Sequence, residues 1–163
     1  MLAVNIICVG DQKEKYWREA CAEYAKRLSR FCKFRTVEVS ESRLPDAPSD
    51  ADIAKAVASE GERLMKEINR GAADSFVIAM CIEGREMPSE QLAQMLERAA
   101  VGGRSRVDFV IGGSYGLSET VKARADCRLS MSPMTFPHQL ARVMVCEQVY
   151  RAFSISAGTK YHK

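Results

Sequence analysis

Apolar positions along the chain fall into two alternating rhythms. "LAVNIICVG", Leu2 to Gly10, is a short, nearly continuous apolar run ended by glycine, the pattern of a strand covered on both faces of a parallel sheet. "KEKYWREACAEYAKRLSRF" then places Tyr16, Trp17, Ala20, Tyr24 and Leu28 at helical spacing. "FRTVEVS", Phe34 to Ser40, predicts a second strand, and the polar, proline-bearing "ESRLPDAPSD" predicts a loop. Ser49 or Asp50 can cap the following helix through "IAKAVASEGERLMKEI". "SFVIAMCI", Ser75 to Ile82, is the clearest buried strand, and "EGREMPS" reads as a turn into a helix over 89–101. A strand at Val107 to Ile111, the loop "GGSYGLS", the short helix "ETVKARAD" and a weak strand "CRLSM" follow. The last helix, 138–156, offers Leu140, Val143, Met144, Tyr150 and Phe153 for a buried stripe. Strand and helix alternate five times, which predicts an α/β fold: a parallel sheet with helices on both faces and ligands beyond the carboxyl ends of its strands.

Size and composition narrow this picture. A chain of 163 residues suffices for one sizeable core and is short for two, so residues 1–163 are expected to form a single domain. With 47% hydrophobic and 28% charged residues, the composition is that of a globular protein, and no apolar run approaches the roughly 18 residues of a membrane span. The N-terminus has neither a basic leader nor a small-residue cleavage site, which makes a cytoplasmic protein the expectation. The six cysteines lie scattered in apolar segments without a C-x-x-C pair or histidines at ligand spacing, so they read as buried reduced thiols and no metal site is expected. Cys146 could serve as a nucleophile, but on that helix it reads first as a small core residue. Charge is uneven: residues 1–100 carry net −2 and residues 101–163 net +5. The plain account of that excess is a solvated helix face, and the alternative is a patch for phosphates.

Candidate chemistry concentrates in three loops, "CIEGRE", "IGGSYGLS" and "MSPMTFPH". Gly112, Gly113 and Gly116 form G-G-x-x-G between a strand and a helix, which suits either a tight turn or close approach of a nucleotide-like ligand. The order differs from the dinucleotide fingerprint G-x-G-x-x-G. Pro133 and Pro137 restrict the third loop, leaving backbone groups pre-set for a ligand edge. His138, one of two histidines, opens the last helix with Arg142 one turn behind it. It either satisfies backbone groups there or faces a ligand. Glu147 and Arg151 are spaced for a solvent-facing ion pair.

"FVIGGSYGLSE", "LSMSPMTFPHQLARVMVCEQVYRAFSI" and the closing "YHK" together resemble the ribosomal RNA large subunit methyltransferase H family of the SPOUT class, and the resemblance extends more loosely over the whole chain. The family methylates N3 of a pseudouridine in 23S rRNA. The resemblance implies a parallel α/β sheet with a C-terminal trefoil knot, S-adenosylmethionine in the knot loops, and a homodimer completing the site. Carried over by position, the cofactor-binding residues are Met80 and, in the turn after it, Gly84; Gly112, Gly113 and Gly116; and Met131, Ser132, Pro133, Met134, Thr135 and Phe136. At Cys81 the chain departs from an acidic residue expected in a number of relatives, and Glu83 is the nearby alternative.

An imide nitrogen must lose its proton before it can accept a methyl group. His138 or the tail residues Tyr161 and His162 are the expected catalytic groups, with Arg142 stabilising the imide anion or gripping a phosphate. The tail "GTKYHK" combines an aromatic ring, an imidazole and a lysine, suited to stack on a base, exchange a proton and meet a phosphate. A chain of net charge +3 is poorly equipped to find one nucleotide in naked RNA, so the expected partner is 23S rRNA within the ribosome. The alternative to an enzyme is a non-catalytic ribosome-associated or nucleotide-binding protein, which would have no reason to bind S-adenosylmethionine.

Overall fold

The computed structural model describes residues 1–70 and 74–162. In chain order the elements are β1 (Ala3–Val9), α1 (Lys15–Leu28), β2 (Lys33–Val39), α2 (Asp50–Asn69), β3 (Ser75–Glu86), α3 (Ser89–Val101), β4 (Arg106–Ile111), α4 (Glu119–Arg124), β5 (Cys127–Ser130) and α5 (His138–Ser156). Among the described residues the strands form one parallel sheet in the order β2-β1-β4-β3-β5. Of the two candidate caps for α2, Ser49 serves. Its hydroxyl accepts from the Asp52 amide while the Asp52 carboxylate accepts from the Ser49 amide, so two otherwise orphaned donors are satisfied.

The strands show why their sequences read as continuous apolar runs. Val4, Ile6 and Cys8 of β1, with Val107, Phe109 and Ile111 of β4, point to a core under α1, α3 and α5. The alternate residues Ile7, Val9 and Val110 point to a second core under α2 and α4. Side chains alternate faces with period two, so a strand buried on both sides has no polar face to show. One group of buried polar side chains forms a linked set. Asp108, fully buried, accepts from Asn5 Nδ2 at 2.7 Å and from Arg106 at 2.6 and 2.9 Å, and Arg35 donates to Asn5 Oδ1 at 2.8 Å. This links β2, β1 and β4 across the amino end of the sheet, away from the loops of interest.

Three local expectations are corrected. The segment "EGREMPS" does not turn at once: β3 runs on to Glu86, pairing Arg85 and Glu86 with Leu129 and Ser130 after residues 81–84 loop out. Tyr16 is 61% exposed and Leu28 is the fully buried residue of α1. On α5 the buried face is Arg142, Val145, Cys146, Val149 and Tyr150, while Leu140, Val143, Met144 and Phe153 are half-buried. That helix is apolar on most of its circumference, so periodicity alone cannot choose its inner face.

Candidate functional site

Parallel pairing sets a row of residues across the carboxyl end of the sheet: Cys8 beside Ile111, Ile111 beside Met80, and Met80 beside Leu129. Met80, Ile111 and Leu129 line the cavity at that end, and three chain segments form its rim. The first is the looped-out part of β3, the second the β4–α4 connection, and the third the β5–α5 connection. Its volume is about 900 Å³, at the upper end of the usual range for small-ligand sites. Of the eleven expected cofactor-binding residues, Met80, Gly112, Gly113, Gly116, Met131, Ser132, Met134, Thr135 and Phe136 line it, and Gly84 and Pro133 do not.

Gly84 has another task. A Cβ there would stand 2.7 to 2.8 Å from backbone atoms of Arg128 and Leu129, so the β3 excursion can cross β5 at this distance only without a side chain. The G-G-x-x-G segment is likewise a close approach: a Cβ on Gly112 would meet the carbonyl carbon and oxygen of Gly116 at 2.6 Å. Gly116 takes φ 81° and its amide closes the turn on the Gly113 carbonyl at 3.1 Å. The tight turn of the two readings is present, and it leaves backbone facing the cavity. Ser132 accepts from the Met134 amide at 3.0 Å and its carbonyl accepts from Ser130 Oγ at 3.0 Å, which with Pro133 and Pro137 fixes the third segment.

Glu83 and Lys122 form an ion pair on the rim. The hydrogen bond from Lys122 holds the Glu83 carboxyl below the usual carboxylate range, and burial pushes the Cys81 thiol up. The acidic group on this rim is therefore Glu83, and Cys81 stays a thiol.

His138 lines the same cavity. Pro137 occupies the N-cap position with φ −53° and ψ 137°, and the helix starts with the Ala141 amide on the Pro137 carbonyl at 2.9 Å. The imidazole is not the cap. Among the described residues it makes no hydrogen bond, and its Nε2 lies near Gly10, 4.0 Å from where a Cβ on that glycine would be.

Arg142, one turn later, is 1% exposed and faces inward. Its guanidinium donates to Glu38 Oε1 at 2.6 Å and to the Gly10 carbonyl at 2.8 Å, tying α5 to the ends of β2 and β1. It is not among the residues lining this cavity, and its bonds hold the turn that bears His138. Its partner Glu38 lies 104 residues away, beyond the reach of any local sequence signal.

The tail is docked. Glu147 Oε1 accepts from Arg151 at 2.6 and 3.0 Å and from the Tyr161 hydroxyl at 3.0 Å, and Tyr161 packs edge-on against Tyr150. Burial, then hydrogen bonding to Tyr24 and Glu147, raises the Tyr161 phenol well above its ordinary range, so it stays a donor. His162 Nε2 lies 2.9 Å from Glu90 Oε1, and its Nδ1 lies 3.3 Å from Arg151 Nη1. Arginine only donates, so Nδ1 accepts and Nε2 carries the proton given to Glu90. The Glu147–Arg151 pair is thus not the solvent-facing pair that its spacing suggests; it is a clasp under the tail. Tyr161 and His162 line no part of the 900 Å³ cavity. Glu147 instead borders a second cavity of about 760 Å³, which shares Met80, Leu129, Ser130 and Met131 with the first. The four expected catalytic residues are therefore not gathered in one cluster of this chain.

The remaining expectations concern charge and metals. Most of the basic groups after residue 100 are spent inside the chain: Arg104 and Arg124 on Asp126, Arg106 on Asp108, Lys122 on Glu83, Arg142 on Glu38 and Arg151 on Glu147. Among the described residues no cluster of three His, Cys, Asp or Glu side chains could hold a metal, and no helix is long and apolar enough to cross a membrane.

Comparison with known proteins agrees with this geometry. Residues 2–162 match the family model described as "Predicted SPOUT methyltransferase". The chain is 48% identical over 162 residues to the ribosomal RNA large subunit methyltransferase H of Bifidobacterium adolescentis, covering 99% of this chain and 100% of the relative. It is 48% identical over 160 residues to that of Leuconostoc mesenteroides, covering 98% and 99%. Two solved structures share the fold at 15% identity. One is a probable methyltransferase from Bordetella pertussis, with TM-score 0.57 and coverage of 92% of this chain and 95% of that one. The other is a probable methylase family protein from Haemophilus influenzae, with TM-score 0.55 and coverage of 98% and 70%. With a whole-chain family match and near-half identity from end to end, the chain belongs to the SPOUT methyltransferases, in the family of ribosomal RNA large subunit methyltransferase H.

Proposed function

We propose that this methyltransferase uses S-adenosylmethionine to methylate N3 of a pseudouridine in 23S rRNA, acting on the assembled ribosome and so in the cytoplasm. The observation that carries the reading is the cavity at the carboxyl ends of β3, β4 and β5, walled by three glycine- and proline-shaped loops with His138 on its wall. These residues fit the cofactor. Apolar Met80, Ile111, Leu129 and Met131 suit a purine, and the bare backbone at Gly112 and Gly116 suits ribose and amino-acid polar groups. When bound, S-adenosylmethionine supplies an electrophilic methyl group. His138, which makes no hydrogen bond among the described residues, takes the N3 proton, directly or through water. Arg142 keeps the His138 turn in place without touching the substrate.

We propose further that the whole chain is one domain, threaded as a trefoil knot. The excursion at residues 81–84 that packs Gly84 onto the β5 backbone supports this topology. A homodimer completes the site, because the tail lies outside the chain's own 900 Å³ cavity. Half-buried Leu140, Val143 and Met144 on α5 are the apolar surface such a partner would cover.

Calorimetric titration with S-adenosylmethionine and with S-adenosylhomocysteine tests the cofactor site. Micromolar binding of both, one per chain or one per dimer, is expected. Absence of heat with either ligand, from a sample shown to be folded, would overturn the assignment.

A further inference from the structure

α1 and α5 bring two cysteines from opposite ends of the chain together, in a place the methyl-transfer reaction does not use. Cys146 Sγ donates to Cys21 Sγ at 4.0 Å across 125 residues of sequence. Cys146 is fully buried and Cys21 is partly open to solvent. The buried amide of Gln12 donates to Cys21 Sγ from another side at 3.4 Å, and the buried Arg142 guanidinium lies close behind. We infer that Cys21 and Cys146 form an oxidisable dithiol, which a peroxide converts into an intrachain disulfide that clamps α1 to α5.

The pair divides the chemistry between an accessible attacking sulfur and a sheltered resolving one. The hydrogen bond from Cys146, opposed by burial and helped by Gln12 and Arg142 against Glu38, lowers the Cys21 thiol below its ordinary value. The third thiol nearby, Cys8, is fully buried and donates to the Val37 carbonyl, so peroxide does not reach it. The hydrogen bond to Cys21 and burial raise Cys146 well above the ordinary thiol range, so it acts only as the resolving group, once the sulfenic oxygen on Cys21 can take its proton. Cys21 thiolate attacks the peroxide, the O–O bond breaks, and Cys21 becomes a sulfenic acid with release of water after protonation. Cys146 sulfur then attacks Cys21 sulfur, an S–S bond forms, and the sulfenic oxygen leaves as water with the Cys146 proton. Two thiols lose two electrons and the peroxide gains them. Bonding distance is about 2.05 Å, so closure needs the sulfurs to approach by about 2 Å.

The test uses the full-length folded protein treated with hydrogen peroxide, then alkylated under denaturing conditions and digested with trypsin. The expected product joins the peptide containing Cys21, Glu19 to Lys26, to the peptide containing Cys146, Val143 to Arg151, with a mass about 2 Da below the sum of the two thiol peptides. Dithiothreitol reverses it. Before oxidation, iodoacetamide at pH 7 modifies Cys21 about tenfold or more faster than Cys32, whose thiol burial raises to about 12. Cys146→Ser, which keeps a donor toward Cys21 and removes the resolving sulfur, leaves Cys21 as a sulfenic acid captured by dimedone. Oxidised Cys21 with Cys146 still free in the wild-type protein, or cross-links that pair other cysteines or two chains, would overturn the inference.

Discussion

At the residue scale the site rests on two side chains one turn apart with opposite exposures. His138 stands on the cavity wall and, among the described residues, makes no hydrogen bond, which is the ground for its proposed part as the base. His138→Ala is expected to lower methyl transfer by about 10²- to 10⁴-fold, the usual worth of a positioned general base, with S-adenosylmethionine affinity changed little. Loss of the acid limb of the pH–rate profile in the variant distinguishes proton removal from a packing defect; an unchanged profile would reassign the base. Arg142 is a positioning residue, so its substitution should first affect stability. In Arg142→Met, Glu38 is 43% exposed and regains water, so the loss is expected to be about 1 to 3 kcal/mol and not the full cost of stranding a buried charge. Urea denaturation measures it. Arg142→Lys keeps the charge but lacks the planar fork that reaches Glu38 and the Gly10 carbonyl together, and should recover part of the stability at most.

At the element scale the tail depends on α5. Glu147 is its anchor, accepting from both Arg151 and the Tyr161 hydroxyl. Glu147→Ala removes the acceptor that both share, and a tail freed in this way should be cut by carboxypeptidase well before the wild-type one. Turnover on the native substrate should fall about tenfold or more, the worth of one or two such hydrogen bonds, and deletion of residues 161–163 should match it. Unchanged turnover after the deletion would remove the tail from the site. The same element shows what the sequence can and cannot tell. The bounds of α3 and α5, the sheet's parallel order of strand and helix, and most of the cavity wall are legible, because each is set by a local run, a proline or a glycine turn. The inward face of α5 is not, because Val143 and Met144 are as apolar as Val145 and Val149. Nor is the inward turn of Arg142, whose reasons, Glu38 and the Gly10 carbonyl, lie more than a hundred residues away. The continuation of β3 past Ile82 escapes for a related reason: polar Arg85 and Glu86 pair with β5 at a sheet edge, where burial does not demand apolar residues. His162 reads from the sequence as a proton-exchanging group of a substrate-facing tail, and its contacts with Glu90 and Arg151 on either side carry no local sequence signal.

At the scale of the whole molecule, charge decides how the substrate is found. The basic excess after residue 100 looks like a phosphate-binding surface when counted, but most of those side chains are neutralised by carboxylates of the same chain. Affinity for RNA from backbone contacts grows with the number of phosphates neutralised, and each free cation contributes a fixed slope to the salt dependence. A chain with net charge +3 and so many of its C-terminal cations paired has little of that affinity to draw on. Selection of one nucleotide must then come from shape, over a contact area larger than a loop of naked RNA presents. Initial rates on protein-free 23S rRNA are therefore expected to fall roughly a hundredfold or more below those on ribosomal particles, with a shallow salt dependence on both. Side-by-side methyl-incorporation assays on naked rRNA, isolated large subunits and whole ribosomes, across a range of salt, decide the matter. Efficient methylation of a short hairpin would show that the chain reads its target by itself, and the dependence on ribosomal shape would have to be given up.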